Sequence, residues 1–190
     1  MGDRKARICF FGRDPGRHEV QHQFPFVGAG GQKIRRVLHE VLHQTELPDF
    51  EASIAVGLYA YWANTVPYKP KRNKAWPKKV QRQVFPYIAD LLINSWEGRD
   101  VITLGQLAFL WFGLEDRETL RALQAHWKRK DRFETSISAT LTTPDGTSAT
   151  FNIHPIPHPS PLNATWAPYF PGLLETRLRK LNFGQETWRL

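Results

Sequence analysis

The sequence predicts an α/β fold: a three-layer α/β/α sandwich around a central, mostly parallel four-stranded sheet, with an added hairpin. Three observations carry that prediction. Short apolar segments of strand character alternate with longer segments of helical period, as in parallel sheets covered by helices. Two of the apolar segments end at a glycine, a usual exit from a sheet. A stretch of alternating polar and apolar residues surrounds a Pro-Asp-Gly turn and supplies the hairpin.

Each element follows in order. Residues 6–12 (ARICFFG) are short, apolar and glycine-terminated, so they form a buried strand. GRDPG is a turn by composition. Residues 29–43 form a helix, with Ile34, Val37, Leu38, Val41 and Leu42 on one stripe. Residues 53–66 contain a second strand. A basic loop follows. A helix over about 78–95 carries Val80, Val84, Tyr87, Ile88, Leu91 and Leu92 on one face. DVITLG (100–105) is a third strand, and QLAFLWF (106–112) begins a helix. In 133–153, Phe133, Thr135, Ile137, Ala139 and Leu141 alternate with polar neighbours. Ala149, Phe151 and Ile153 do so beyond the turn Thr143-Pro144-Asp145-Gly146. HPIPHPSPLN leaves the second hairpin arm, and a last helix fits 171–183.

The 190 residues suit one domain, 1–190, and a 41% hydrophobic fraction supports a core at that size. The net charge of +8 favours an anionic partner, nucleic acid being the commonest for a basic domain. The one cysteine, Cys9, lies in an apolar run and reads as a core thiol. A disulfide within the chain is excluded, as is a zinc or iron–sulfur site built on cysteines. No secretory leader is expected, and no apolar stretch approaches the ~20 residues of a membrane span. The expectation is a soluble, cytoplasmic, nucleoid-associated monomer with no membrane partner, no metal and no cofactor.

Ligands of parallel α/β sheets bind beyond the carboxyl ends of the strands. Three marked loops follow strand ends here. In the first, Asp14 stands between Arg13 and Pro15 after a buried strand. A carboxylate held there can orient a water, or it can simply stabilise the turn. FPFVGAGG then sets Phe26 before a glycine-rich helix entry, as a stacking platform or as core. The second loop follows Asn64, whose amide suits the edge of a pyrimidine or merely caps a turn. It continues through Lys69, Lys71, Arg72, Lys74, Lys78 and Lys79 without an acid, interleaved with Tyr68 and Trp76. Such a loop binds phosphate, or is a solvated run of charge. The third is HPSPLN, 158–163. His158 between prolines is an aimed ring, Ser160 can bond a phosphate, and Leu162 at the tip can enter a base stack. His154 is a rival histidine, nearer the strand and read as structural.

In this order these residues resemble the uracil-DNA glycosylase superfamily, from Gly12 to about Asn163. Gly12, Pro15, Gly16, Glu19, Pro25, Phe26, Val27, Gly28 and Gly31 spell G-x-x-P-G-x-x-E…P-F-V-G-x-x-G, similar to its thermostable iron–sulfur branch. ANTVPYKPKRN and VITLGQLAF resemble further segments of that branch. HPSPL resembles the second signature of the common bacterial and eukaryotic branch. The resemblance implies a three-layer α/β/α fold and hydrolysis of the glycosidic bond of a flipped deoxyuridine in DNA. It implies that Phe26 stacks on uracil, Asn64 reads its polar edge, and His158 bonds O2 as charge builds on the base. Asp14 would orient the water, Ser160 grip a phosphate, Leu162 fill the gap, and Lys69, Lys71 and Arg72 bind DNA.

The chain departs from the pattern at three places. Arg13 stands where the iron–sulfur branch has its glutamate, with Asp14 next to it as in the common branch. The four cluster-binding cysteines are missing, so no iron–sulfur cluster is expected. Gln23 replaces a glycine before P-F-V-G. Two alternatives therefore stay open: a glycosylase for deaminated purines (hypoxanthine, xanthine) or mismatched bases, and a non-catalytic damaged-DNA binder.

Overall fold

The computed structural model describes residues 2–71 and 74–185. The chain runs β1 (Ile8–Gly12), α1 (Arg17–His22), α2 (Ala29–His43), α3 (Phe50–Val56), β2 (Tyr61–Asn64) and α4 (Lys78–Asp90). It continues through β3 (Asp100–Leu104), α5 (Gln106–Trp111), α6 (Arg117–Trp127), β4 (Ile137–Thr142), β5 (Ser148–Ile156) and α7 (Phe170–Lys180). The strands form one five-stranded sheet in the order β2-β1-β3-β5-β4. All neighbours are parallel except β4, which pairs antiparallel with β5. The predicted class holds, with one refinement. The hairpin is not an addition to the sheet, because its second arm is itself the fourth parallel strand.

Alternation along the strands builds the two outer layers, since successive side chains point to opposite faces. Ile8, Phe10, Trp62, Ile102, Leu104 and Ile156 face α2 and α7, where Ile34, Leu38, Phe170, Leu174 and Leu178 complete a buried cluster. Cys9, Phe11, Val101, Phe151 and Ile153 face the other way, onto Phe85, Ile88 and Leu92 of the α4 segment and Phe109 of α5. Burial raises the Cys9 thiol far above its ordinary pKa, as befits a core thiol. Tyr87 departs from the predicted face. It is exposed, and Phe85 takes the place in the core. The predicted helix 78–95 ends as an α-helix at Asp90 and finishes in a π-type turn, Leu91–Ser95.

Parallel strands send their carboxyl ends to one edge, and the backbone there is stitched together. Thr65 N–H donates to Gly12 O at 2.9 Å, and Gly105 N–H to Ile156 O at 2.9 Å. The loops after β1, β2, β3 and β5 therefore share one rim. Among the described residues no helix is long and apolar enough to cross a membrane.

Candidate functional site

The first wall begins where β1 ends. Pro15 biases Asp14 away from helix, and the carboxylate turns onto its neighbour. Arg13 Nε donates to Asp14 Oδ1 at 2.5 Å, and Nη2 donates to Oδ2 at 3.2 Å. Glu19, on α1, reaches across to the entry of α2. Its Oε1 accepts the Gly28 N–H at 2.9 Å and ties the first loop to the glycine-rich segment.

Phe26 takes a left-handed backbone, φ +52°, which is uncommon for an aromatic residue. The core holds it there. Arg35, only 2% exposed, donates to Pro25 O at 2.7 Å, to Phe26 O at 3.0 Å, and to Ser53 O. Its guanidinium lies over Trp62, 4.9 Å from the ring centroid, and Trp62 in turn stacks on Phe10. Burial pushes the Arg35 pKa down to about 10, opposed by the charge of Glu19, so it stays protonated at neutral pH. Arg35→Ala strands three carbonyls and is expected to cost roughly 3 kcal/mol. Thermal unfolding checks this; an unchanged melting temperature would refute the clamp.

Gly12 gives the site its narrowness. A Cβ there would meet Phe26 Cζ at 2.7 Å and Asn64 Oδ1 at 2.8 Å. Only a hydrogen lets the ring and the amide meet over the end of β1. Asn64 Oδ1 is buried and has no hydrogen-bond partner among the described residues, an acceptor waiting for a donor.

HPSPLN forms the opposite wall and braces itself. Asn163 Nδ2 donates to His158 O at 3.1 Å, and Leu162 N–H donates to Ser160 Oγ at 3.2 Å. Pro159 packs on Gly30, where a Cβ would come within 3.2 Å of its Cγ, so the loop is held against α2. The Ser160 N–H donates to His158 Nδ1 at 3.2 Å. An amide can only donate, so Nδ1 accepts and the neutral ring carries its proton on Nε2. His158 keeps one side open to solvent. Even so, desolvation and then the charge of Arg13 lower its pKa, with Asp14 pulling partly back. At neutral pH the ring is an uncharged donor.

The predicted residues divide between two clefts. Asp14, Phe26, His158, Ser160 and Leu162 line the first, of about 660 Å³. Asn64 lines a second, apolar cleft of about 500 Å³ with Trp62, Phe24, Tyr87 and Ile88. Pro15 and Glu19 border both. Leu162 is 95% exposed at the tip of its loop. Lys69 and Lys71 lie outside both clefts, Lys69 with its Nζ donating to Pro70 O at 3.3 Å. Their loop is braced by Trp76 Nε1–H donating to Tyr68 O at 2.8 Å. Arg72 lies outside the described residues.

His154 is buried in β5 away from both clefts. Its Nε2 bonds Asp100 Oδ1 at 3.0 Å, and its Nδ1 bonds Ser136 Oγ at 2.7 Å, which Arg177 also reaches. Burial raises the Asp100 carboxyl, but hydrogen bonds from His154 and Asn152 outweigh it and leave the pKa below its ordinary value. The structural reading of His154 fits this cluster. Sequence reasoning gave no part to Arg35 or Trp62, and it read Glu19 as a motif residue without a role of its own. The available signal for Arg35 was an arginine set directly beside a strongly apolar helix stripe.

A carboxylate, a neutral imidazole and an aromatic ring share one cleft beyond the carboxyl ends of a parallel sheet, where the ligands of such sheets bind. The class of protein follows from the sequence as a whole. Residues 1–182 match the model of the uracil DNA glycosylase superfamily, and the chain belongs to that superfamily. Membership sets it among the DNA glycosylases, which act on DNA. No individually curated protein matches the chain significantly.

Proposed function

We propose that this protein hydrolyses the N-glycosidic bond of uracil in DNA and leaves an abasic site, acting as a monofunctional, monomeric, single-domain enzyme. The observation that carries this reading is the grouping of Asp14, Phe26 and neutral His158 in one cleft. The target nucleotide leaves the stack, as any enzyme reaching that bond requires. Phe26 covers the base, and Asn64 Oδ1 accepts its imino N–H. The His158 Nε2–H donates to O2 as the C1′–N1 bond breaks and its electron pair departs with the base. A water bonds to C1′ and passes a proton by way of the Asp14 carboxylate to solvent, from which the departing base anion takes up a proton. Asp14 orients that water and stabilises the positive charge on the sugar. An ionised carboxylate offers about four lone-pair sites, of which Arg13 takes two. Ser160 donates to a phosphate, Leu162 fills the vacated stack, and Lys69, Lys71 and Arg72 follow the backbone.

Incubation with uracil-containing oligonucleotides, followed by alkaline cleavage of abasic sites, tests the reading. No product from single strands, U·G or U·A duplexes would end the uracil claim. Leu162→Ala should change stability by less than about 0.5 kcal/mol, since the side chain touches solvent. It should slow release from duplex several-fold more than from single strands, because only a duplex holds the gap to be filled. Equal effects on both would remove its wedge role.

One observation favours a second reading. Asn64 faces the cleft of about 500 Å³, which leaves room beyond a pyrimidine edge. A deaminated purine uses that room, and oligonucleotides carrying hypoxanthine or xanthine separate the two.

A further inference from the structure

Arg13 and Asp14 are unequal partners. The Asp14 side chain is 6% exposed and that of Arg13 is 29% exposed, so a nearly sealed carboxylate is covered by a guanidinium that reaches water. Both line the first cleft, next to Ser160 and His158. The Arg13 backbone is pinned, because its carbonyl accepts from the Val66 N–H at 3.3 Å and from Thr65 Oγ1. A change of partner at Arg13 therefore falls to its side chain rather than its backbone. A guanidinium fork fits a phosphodiester as well as it fits a carboxylate. DNA bound at this rim brings phosphates on both sides of any extruded nucleotide.

We infer that Arg13 is a positioning residue with two alternative partners: the Asp14 carboxylate in the free protein, and a phosphodiester flanking the target nucleotide in the complex. The inference rests on the glycosylase reading above. In the free protein the pair spares Asp14 from being a buried carboxylate without a counter-charge. In the complex the fork moves to the phosphate, and two carboxylate lone-pair sites open to the attacking water. One charge-assisted pair replaces another, and the positive charge that builds on the sugar takes over as the counter-charge of Asp14. The two lone-pair sites that Arg13 covers are thereby added to the water's reach only when substrate is in place.

The test is single-turnover base release at saturating DNA. Each phosphate flanking the uracil is replaced in turn by a neutral methylphosphonate, for the wild type, Arg13→Gln and Arg13→Lys. In the wild type, neutralising one particular phosphate should slow release about tenfold. In Arg13→Gln the same replacement should change the rate less than about twofold, because the coupled partner is already gone. Arg13→Lys keeps the charge and should keep part of the sensitivity. Equal losses in wild type and Arg13→Gln at every phosphate would overturn the inference. If Arg13→Gln fails to fold, the wild-type series still decides, since insensitivity at every flanking phosphate overturns it too. A wild type that releases no base from any substrate brings down the glycosylase reading itself. Release without phosphate sensitivity brings down only the role of Arg13.

Discussion

Asp14→Asn is expected to slow base release roughly 10²–10⁴-fold, the range of a positioned acid–base group. The substitution keeps shape and removes charge. Water then loses its acceptor, and the developing positive sugar loses its counter-ion. Folding should survive, because the lost ion pair joins adjacent residues and ties no distant elements together. Single-turnover rates beside a thermal melt check both halves. A variant with wild-type turnover would mean that Asp14 only shapes the turn.

His158→Ala is expected to cost roughly 10²–10³-fold, the typical loss of one donor aimed at a developing anion. Its pH dependence follows from the lowered pKa. The working ring is neutral, with Nδ1 accepting from Ser160 N–H. Because the folded pKa lies below the ordinary value of about 6.5, the neutral form persists at neutral pH. It is lost only as pH falls through that lowered value. Protonation puts a hydrogen on Nδ1, breaks the bond from Ser160 and loosens the ring. The rate should therefore drop on the acid side, below the usual histidine range. A pH–rate profile tests this, and the same acid limb in His158→Ala would assign it to another group.

The sheet was legible because its signal is local. Buried parallel strands are short apolar runs, and ARICFFG and DVITLG each announce one. The stripe of α2 was legible because five residues share one helical face. Three helices went unread. α1 has six residues and buries none of them, so it leaves no periodic trace. α3 buries only Ser53 and Val56. α6 buries only Leu123 and His126, although Asp116 accepts from Thr119 N–H at 2.8 Å and caps it. Within the site, Asp14, Phe26 and His158 were readable as loop residues after strand ends, and they do line one cleft. That Asn64 opens on another cleft was not readable. It depends on where the Phe26 ring lies over Gly12, a tertiary fact. Arg35 was missed because counting apolar residues along a stripe passes over a charge, even one buried against tryptophan.

The order of the sheet gives the two walls different resistance to local opening. β5, which leads into His158, is an interior strand, paired with β4 over Ser148–Ile153 and with β3 over Asn152–Ile156. Its amides exchange with solvent only when much of the sheet opens. β2, which ends at Asn64, is an edge strand supported by β1 and by one isolated bridge from Gly2 to Tyr61. It has fewer backbone bonds to break, and the burial of Tyr61, Trp62 and Ala63 is what holds it in place. Under the proposed function, the wall that meets the departing base would be held by sheet hydrogen bonds and the wall beside the apolar cleft mainly by side-chain packing, so a base of different outline would be accommodated at the second wall before the first.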